Sequence, residues 1–180
     1  MPLTAAAEEV VLAAIAKKIT VATAESLTAG MVASALATVP GASGTLQGGI
    51  VSYQNSVKSS LLGVDADLLE RNGAVDADVA RQMAAGARRA LQADVGISTT
   101  GAAGPEPHGG KSVGTVFVGV ATAAGSRAVE FRFDGDRAEI RLQAAAAALA
   151  ELRRAVVEQP ARPTVFRDGP VRAGRGEQNK

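Results

Sequence analysis

Residues 19–30 read ITVATAESLTAG, and they contain the connection from strand to helix that indicates the fold class. Residues 19–24 form a short segment rich in β-branched side chains, which predicts a buried strand. The polar turn that follows leads into a helix predicted over roughly 28–38, and the sequence VPG at residues 39–41 ends that helix. A buried strand that runs directly into a helix is typical of α/β proteins with a partly parallel sheet.

The alternation of helices and strands extends from this stretch in both directions. One helix is expected before it, and a strand, three helices and another strand are expected after it. These elements are predicted at residues 4–18 (helix), 46–53 (strand), 55–62, 65–72 and 76–92 (helices) and 94–100 (strand).

The remaining elements are a hairpin and a long helix. Strands are predicted at 113–122 and 128–133 around a turn at 124–126, and in the second strand apolar and charged residues alternate, which indicates one solvated face. Asp136 and Glu139 form a capping box for a helix to about residue 157. The fold class is therefore α/β. A three-layer α/β/α sandwich is expected, with a mixed, mostly parallel sheet of about five strands and six helices.

The length and charge of the chain exclude several classes of protein. The 180 residues fit one domain, predicted at 1–158, followed by a flexible basic tail at 159–180. The net charge is +1 and aromatic residues make up 3%, so a nucleic-acid partner is not expected. No apolar run is long enough for a membrane span, and the N-terminus has no secretory pattern, so a cytoplasmic location is expected.

The residue types narrow the chemistry further. With no cysteine and only His108, thiol nucleophiles and multi-histidine metal sites are excluded. His108 itself is interpreted as a solvated loop residue. A hydrolase of this composition needs a serine or threonine that lysine or a carboxylate activates. Lys58 is a candidate base because burial can lower the pKa of a lysine, although a surface position on a short helix would also explain it.

Three further features are candidates for binding or chemistry. Ser26 stands between a strand and a helix, where it could face an anion or simply cap the helix. Ser43 lies in a loop before the second predicted strand and is either exposed for chemistry or an ordinary turn serine. The small residues that follow the third predicted strand allow a ligand to approach the backbone, and Arg137 and Arg141 lie one turn apart at a helix start, where they can face a phosphate or solvent.

Read together, several segments resemble one known family, the CinA C-terminal domain, which includes the nicotinamide mononucleotide deamidases. The resemblance covers residues 5–158 approximately. It is carried by AESLTAG (24–30), VPGAS (39–43), GGIVSYQNSVK (48–58), GAAGP (101–105), KSVGTV (111–116) and GDR (135–137).

The resemblance implies an α/β/α sandwich, a homodimer and an amidohydrolase that needs no cofactor or metal. The implied reaction converts nicotinamide mononucleotide and water to nicotinate mononucleotide and ammonia. Ser43 with Lys58 would be the catalytic pair, Tyr53 would orient it, and Ser26 is kept as the competing nucleophile. Substrate binding is assigned to Thr28, Gly30, Asn55, Thr100, Gly101, Gly104, Arg137 and Arg141.

The sequence departs from the family pattern at four places. Residues 44–46 (GTL) replace a bulkier stretch that contains an aromatic residue, and Gln54 replaces serine. Leu27 stands where the family has cysteine, and Ala29 stands where it has glycine. These changes motivate an alternative function, a non-catalytic module that binds a mononucleotide within a competence- or DNA-damage-linked complex. A third hypothesis, that the basic tail tethers nucleic acid, rests on a net charge of only +3 from five basic and two acidic residues in 159–180.

Overall fold

The structure, a computed structural model, describes residues 3–162. In this part of the chain the predicted five strands and six helices are confirmed, and most boundaries lie within about three residues of those expected. The elements are α1 (Leu3–Lys17), β1 (Val21–Glu25), α2 (Met31–Ala37), β2 (Leu46–Val51), α3 (Asn55–Leu62), α4 (Ala66–Asn72), α5 (Ala77–Ala90), β3 (Val95–Gly101), β4 (Thr115–Thr122), β5 (Gly125–Arg132) and α6 (Arg137–Glu158).

The strands form one mixed sheet in the order β2-β1-β3-β4-β5. β1 is parallel to both β2 and β3, while β4 is antiparallel to β3 and to β5. Four strands therefore run in one direction and β4 runs against them, which confirms the expected mixed, mostly parallel sheet. The carboxyl ends of β1, β2 and β3 meet at one edge of the sheet, where sites of open α/β sheets form.

Helices cover both faces of the sheet and give the predicted three layers. One apolar cluster joins α1, α2 and α6 to one face, and a second joins α3, α4 and α5 to the other. Strand β1 shows the period of two that this arrangement requires, because Val21 belongs to the first cluster and Ala22 and Ala24 belong to the second. Both faces of β1 are thus buried, as its apolar sequence indicated.

Local signals of the sequence fix the helix starts. The Asp76 carboxylate accepts hydrogen bonds from the amides of Asp78 and Val79 at the start of α5. The capping box of Asp136 and Glu139 is present at the start of α6. The hairpin turn differs slightly from the prediction: Thr122 pairs with Gly125, so the turn occupies residues 123–124 rather than 124–126.

The end of α6 is tied to the end of α1. The Lys17 ammonium donates to the carbonyl oxygens of Val157 and Gln159, where the helix leaves its last carbonyls without partners. Arg162 donates its amide to the Lys17 carbonyl and pairs with Asp94. Gln159 and Arg162, near the start of the predicted tail, thus contact the domain, and residues 163–180 fall outside the described part. No helix within residues 3–162 is long and apolar enough to cross a membrane.

Candidate active site

A cavity of about 360 Å³ opens at the edge of the sheet where β1, β2 and β3 end. The connections that follow these three strands form it, and the first turn of α6 lies at its mouth. The connection after β1 leads to β2 on one side, and the connection after the neighbouring strand β3 leads to β4 on the other, so this is a topological switch point. The lining residues are Ser26, Leu27, Tyr53, Gln54, Asn55, Lys58, Ala74, Val75, Thr100, Gly101, Ala102, Ala103, Gly104, Glu106, His108 and Arg137.

Lys58 is a buried lysine in the wall of this cavity. Its side chain is 1% exposed, and its Nζ atom donates to the carbonyl oxygens of Ser52 at 2.9 Å and Tyr53 at 3.0 Å. Desolvation by burial lowers the pKa of Lys58 from 10.5 to about 8. The alternative of a surface lysine on a short helix is wrong, and a substantial fraction of this amine is neutral near physiological pH.

Ser26 directly follows β1 and also faces the cavity. Its amide donates to the carbonyl of Thr99 on β3 at 3.0 Å, which continues the pairing of the two strands. The alternative of a helix cap is wrong, because α2 begins only at Met31 with Gly30 at its cap position. Ser26 and Lys58 therefore line one cavity within a single chain.

The start of α2 is closed by a carboxylate from the same chain. Glu25, at the end of β1, is 1% exposed and accepts hydrogen bonds from the amides of Gly30, Val32 and Ala33 at 2.8–3.1 Å. The Thr28 hydroxyl donates to it at 2.7 Å. Thr28 and Gly30 belong to this internal network and do not line the cavity.

The two arginines at the start of α6 point to different partners. Arg137 lines the cavity and donates to the carbonyl oxygen of Gly104 at 2.7 Å and to the Tyr53 hydroxyl at 3.0 Å. Arg141 donates instead to the carbonyl oxygens of Leu27 at 2.8 Å and Thr28 at 3.3 Å, and it does not line the cavity. Of the two, only Arg137 is placed to meet a ligand.

Ser43 lies at the other end of β2. It belongs to the short 3-10 turn Ala42–Gly44, which precedes β2, whereas Lys58 follows the end of that strand. The six residues of β2 span about 20 Å. Within one chain the structure therefore does not bring Ser43 beside Lys58, and Ser43 does not line the cavity.

The other predicted binding residues lie around the mouth and wall of the cavity. Asn55, Thr100, Gly101 and Gly104 all line it, and the Thr100 hydroxyl donates to the carbonyl of Ala74 at 2.6 Å. We call residues 101–112 the glycine loop. Within residues 3–162, no group of three or more acidic or imidazole side chains is arranged to hold a metal ion.

Sequence reasoning missed two charged or titratable residues of the cavity. Glu106 and His108 line it from the glycine loop, and His108 is also exposed, as predicted for a solvated loop residue. The backbone of His108 pairs with that of Lys111 in a small bridge. Their position in the sequence could have indicated this, because both residues lie in a loop that is expected to approach a ligand.

The departures from the family pattern at Leu27 and Ala29 have different surroundings. Leu27 is 4% exposed, packs in the first apolar cluster and also borders the cavity, so an apolar side chain suits the position. Ala29 has a φ of 49°, in the left-handed region where a side chain is strained. Glycine avoids that strain, which gives a physical reason for the residue found in the family.

Comparison with known proteins places this geometry in a family. Residues 3–156 match the CinA C-terminal domain. A CinA-like protein of Frankia casuarinae is 48% identical over 141 residues, which are 78% of this chain and 33% of that protein. A putative competence-damage inducible protein of Caldicellulosiruptor saccharolyticus is 43% identical over 152 residues, 83% of this chain and 37% of that protein. The chain thus spans about a third of the length of the curated relatives it matches.

Solved structures agree in fold. The competence/damage inducible protein CihA of Agrobacterium tumefaciens superimposes with a TM-score of 0.81 at 34% identity, covering 86% of this chain and 94% of that one. A CinA superfamily protein of Klebsiella pneumoniae gives a TM-score of 0.84 at 28% identity and covers 88% of this chain and 100% of that one. With its three-layer sandwich and the match over residues 3–156, the chain belongs to the CinA C-terminal domain family.

Proposed function

We propose that this protein is an amidohydrolase that converts nicotinamide mononucleotide and water to nicotinate mononucleotide and ammonia. The observation that carries the proposal is Lys58, an amine buried in the cavity wall with its pKa lowered to about 8. A serine and an arginine line the same cavity. The names of the relatives do not specify a reaction, so the proposal rests on this chemistry and on the family resemblance.

The hydrogen bonds of Lys58 suit a general base. A neutral amine has two N–H bonds and one lone pair, and the carbonyls of Ser52 and Tyr53 accept two N–H bonds. The lone pair is then left for the third tetrahedral direction, on a residue that lines the cavity. A base with a pKa near the working pH transfers protons most effectively.

Ser26 is the nucleophile that this geometry favours. Its Oγ attacks the carboxamide carbon while Lys58 takes the hydroxyl proton. Ala103 and Gly104 of the glycine loop line the same cavity, and we propose their backbone amides as the donors that stabilise the oxyanion. When the tetrahedral intermediate collapses, the Lys58 ammonium returns the proton to the departing ammonia. Water then hydrolyses the acyl-enzyme by the same proton path and releases the carboxylate.

Arg137 is the group for the phosphate of the mononucleotide. Its guanidinium is held at the mouth of the cavity by the Gly104 carbonyl and the Tyr53 hydroxyl. A phosphate offers a guanidinium stronger, charge-assisted hydrogen bonds than either of these neutral acceptors. Binding at Arg137 would leave the pyridine carboxamide directed toward the interior of the cavity.

The direct test is ammonia release from nicotinamide mononucleotide by the purified protein and by Lys58→Met, Ser26→Ala and Ser43→Ala. We expect turnover by the wild type and by Ser43→Ala, and loss of turnover in the other two with their circular dichroism unchanged. Loss in Ser43→Ala with turnover kept in Ser26→Ala would assign the nucleophile to Ser43. A folded wild type that binds the nucleotide without turnover would support the alternative of a non-catalytic binding module.

A further inference from the structure

We call residues 26–30, which include Ser26, the β1–α2 turn. The Glu25 carboxylate and the Arg141 guanidinium both hydrogen-bond to the backbone of this turn. We propose that Glu25 and Arg141 are positioning residues, which hold this turn so that the Ser26 hydroxyl meets the substrate carboxamide. The inference rests on the proposed function and deepens it, because it reassigns an arginine that the family resemblance places at the phosphate.

Glu25 fixes the amide side of the turn. One carboxylate oxygen, Oε2, accepts from the Thr28 hydroxyl at 2.7 Å and from the amides of Gly30 and Val32 at 2.9 and 3.1 Å. The other, Oε1, accepts from the Ala33 amide at 2.8 Å and from the Thr23 hydroxyl at 3.2 Å. Only a carboxylate accepts on both atoms, since the amide of glutamine replaces one acceptor by a donor.

Arg141 fixes the carbonyl side. It reaches from α6 to the carbonyl oxygens of Leu27 and Thr28, within the same turn. The amides at the end of the turn thus bind the Glu25 carboxylate, and its carbonyls bind the Arg141 guanidinium. Charged hydrogen-bond partners on both sides stabilise a single backbone conformation of the turn. The Thr28 hydroxyl also lies 2.7 Å from that of Thr99, which joins the turn to β3.

The same residues connect the turn to Lys58. The Glu25 carbonyl accepts from the amide of Ser52 at 2.8 Å, and the Ser52 carbonyl accepts from Lys58 Nζ. Ser26 directly follows Glu25 in the chain, and Lys58 binds Ser52, whose amide binds the Glu25 carbonyl. The position of Glu25 therefore affects both the proposed nucleophile and the proposed base. A shift of the β1–α2 turn moves Ser26 relative to Lys58, and small misplacements of reacting groups reduce rates strongly.

This arrangement also leaves no place for the phosphate at the start of α2. The amides there already bind Glu25, and Arg141 does not line the cavity. The phosphate is then left to Arg137, which is at the cavity. The two arginines, one helical turn apart, consequently perform different tasks.

The first experiment compares Glu25→Gln with Glu151→Gln. Glu151 is a matched control, because it is also buried at 4% exposure and is ion-paired with Arg127 on β5 and Arg154 on α6, and it does not line the cavity. We expect Glu25→Gln to lower kcat at least tenfold with KM changed less than twofold, and Glu151→Gln to leave both unchanged. In a Ser26→Ala background, Glu25→Gln should cause no further loss, because it acts through Ser26. Equal kcat for the two glutamine variants would overturn the inference.

The second experiment compares Arg141→Met with Arg137→Met on two substrates, the mononucleotide and its riboside, which lacks the phosphate. A positioning role predicts that Arg141→Met lowers kcat by the same factor for both substrates. Arg137→Met should raise KM for the mononucleotide alone. If Arg141→Met raises KM only for the mononucleotide, Arg141 binds phosphate and the assignment is wrong.

A third measurement does not depend on turnover. Hydrogen exchange of the amides of Gly30, Val32 and Ala33, followed by NMR, should be slow in the wild type and at least tenfold faster in Glu25→Gln. If the wild type releases no ammonia, the proposed function fails, but this measurement still tests whether Glu25 holds the β1–α2 turn. Exchange that stays slow in Glu25→Gln would refute the positioning role of Glu25 whatever the activity.

Discussion

The β1–α2 turn and the glycine loop both line the cavity, but they are held in different ways. Side chains from inside the protein fix the turn, with Glu25 at its amides and Arg141 at its carbonyls. The glycine loop is exposed over residues 105–110 and is held by backbone contacts and by Arg137 at the Gly104 carbonyl. The difference separates two tasks: the turn presents the reacting groups, and the loop adapts to the bound molecule. Changes to the first should affect kcat, and changes to the second should affect KM.

The largest effect is expected at Lys58, which the Ser52 carbonyl links to the turn. Lys58→Met removes the base and should lower kcat by about 10³-fold, the usual range for general base catalysis. Lys111→Met is the matched control on the glycine loop and should keep kcat within twofold. Steady-state ammonia release measures both, and a comparable loss in the two variants would contradict the division between turn and loop.

The pH dependence of the same residue provides a second check. The reaction needs neutral Lys58, so kcat/KM should rise with pH through an apparent pKa near 8. Stability should follow the same group. The lowered pKa means that the unfolded chain binds the proton more strongly, so the free energy of unfolding rises between pH 8 and 10.5. Urea titrations across this window should show the rise in the wild type and a smaller one in Lys58→Met.

Alanine substitutions at two glycines test whether binding depends on the conformation of the glycine loop. Gly104 has a φ of +80°, and a Cβ there would lie 2.9 Å from Val113 Cγ1, whereas a Cβ at Gly110, with a φ of +72°, would meet nothing within 4 Å. Gly104→Ala should therefore cost about 1–2 kcal/mol more stability than Gly110→Ala and raise KM. Chemical denaturation and kinetics of both variants check this, and equal effects would show that contact with Val113 is unimportant.

Tyr53 connects the two segments through Arg137. Tyr53→Phe removes the hydroxyl that accepts from Arg137 at 3.0 Å and keeps the ring. We expect KM for the mononucleotide to rise about three- to fivefold, since an exposed hydrogen bond contributes about 1 kcal/mol, while kcat stays nearly constant. A large fall in kcat would instead place the Tyr53 hydroxyl among the reacting groups.

The smallest effect concerns the shape of the turn. Ala29 has a φ of 49°, so Ala29→Gly should relieve strain and stabilise the protein by about 0.5–1 kcal/mol, after the entropy that glycine adds to the unfolded chain. Thermal denaturation measures the gain. Destabilisation would show that the methyl group contributes packing that outweighs the strain.

The order of helices and strands was predictable because local signals carry it. Caps such as Asp76 and Asp136 mark helix starts, and the alternation at Val129, Phe131 and Glu130 marks a strand with one wet face. These patterns depend on residues a few positions apart, which the sequence displays directly. The expected layers followed from them.

The partners of the site residues were less predictable. Glu25 folds back on a helix that begins six residues later, and Arg141 crosses from α6 to the β1–α2 turn. Neither contact leaves a local pattern, so the sequence does not show that Thr28, Gly30 and Arg141 hydrogen-bond within the protein. Residue type and the family resemblance make Lys58 a candidate, and only the structure shows that it is buried against two carbonyl oxygens of the preceding loop.

The lowered pKa of Lys58 also makes the amine a selective target for acylating reagents. At pH 7 an amine with a pKa of about 8 is about one tenth neutral, whereas a lysine at 10.5 is neutral in about three molecules per ten thousand. Small electrophiles that enter the cavity would react there far more readily than at exposed lysines. Labelling that a bound nucleotide blocks would thus report occupancy of the cavity without any turnover.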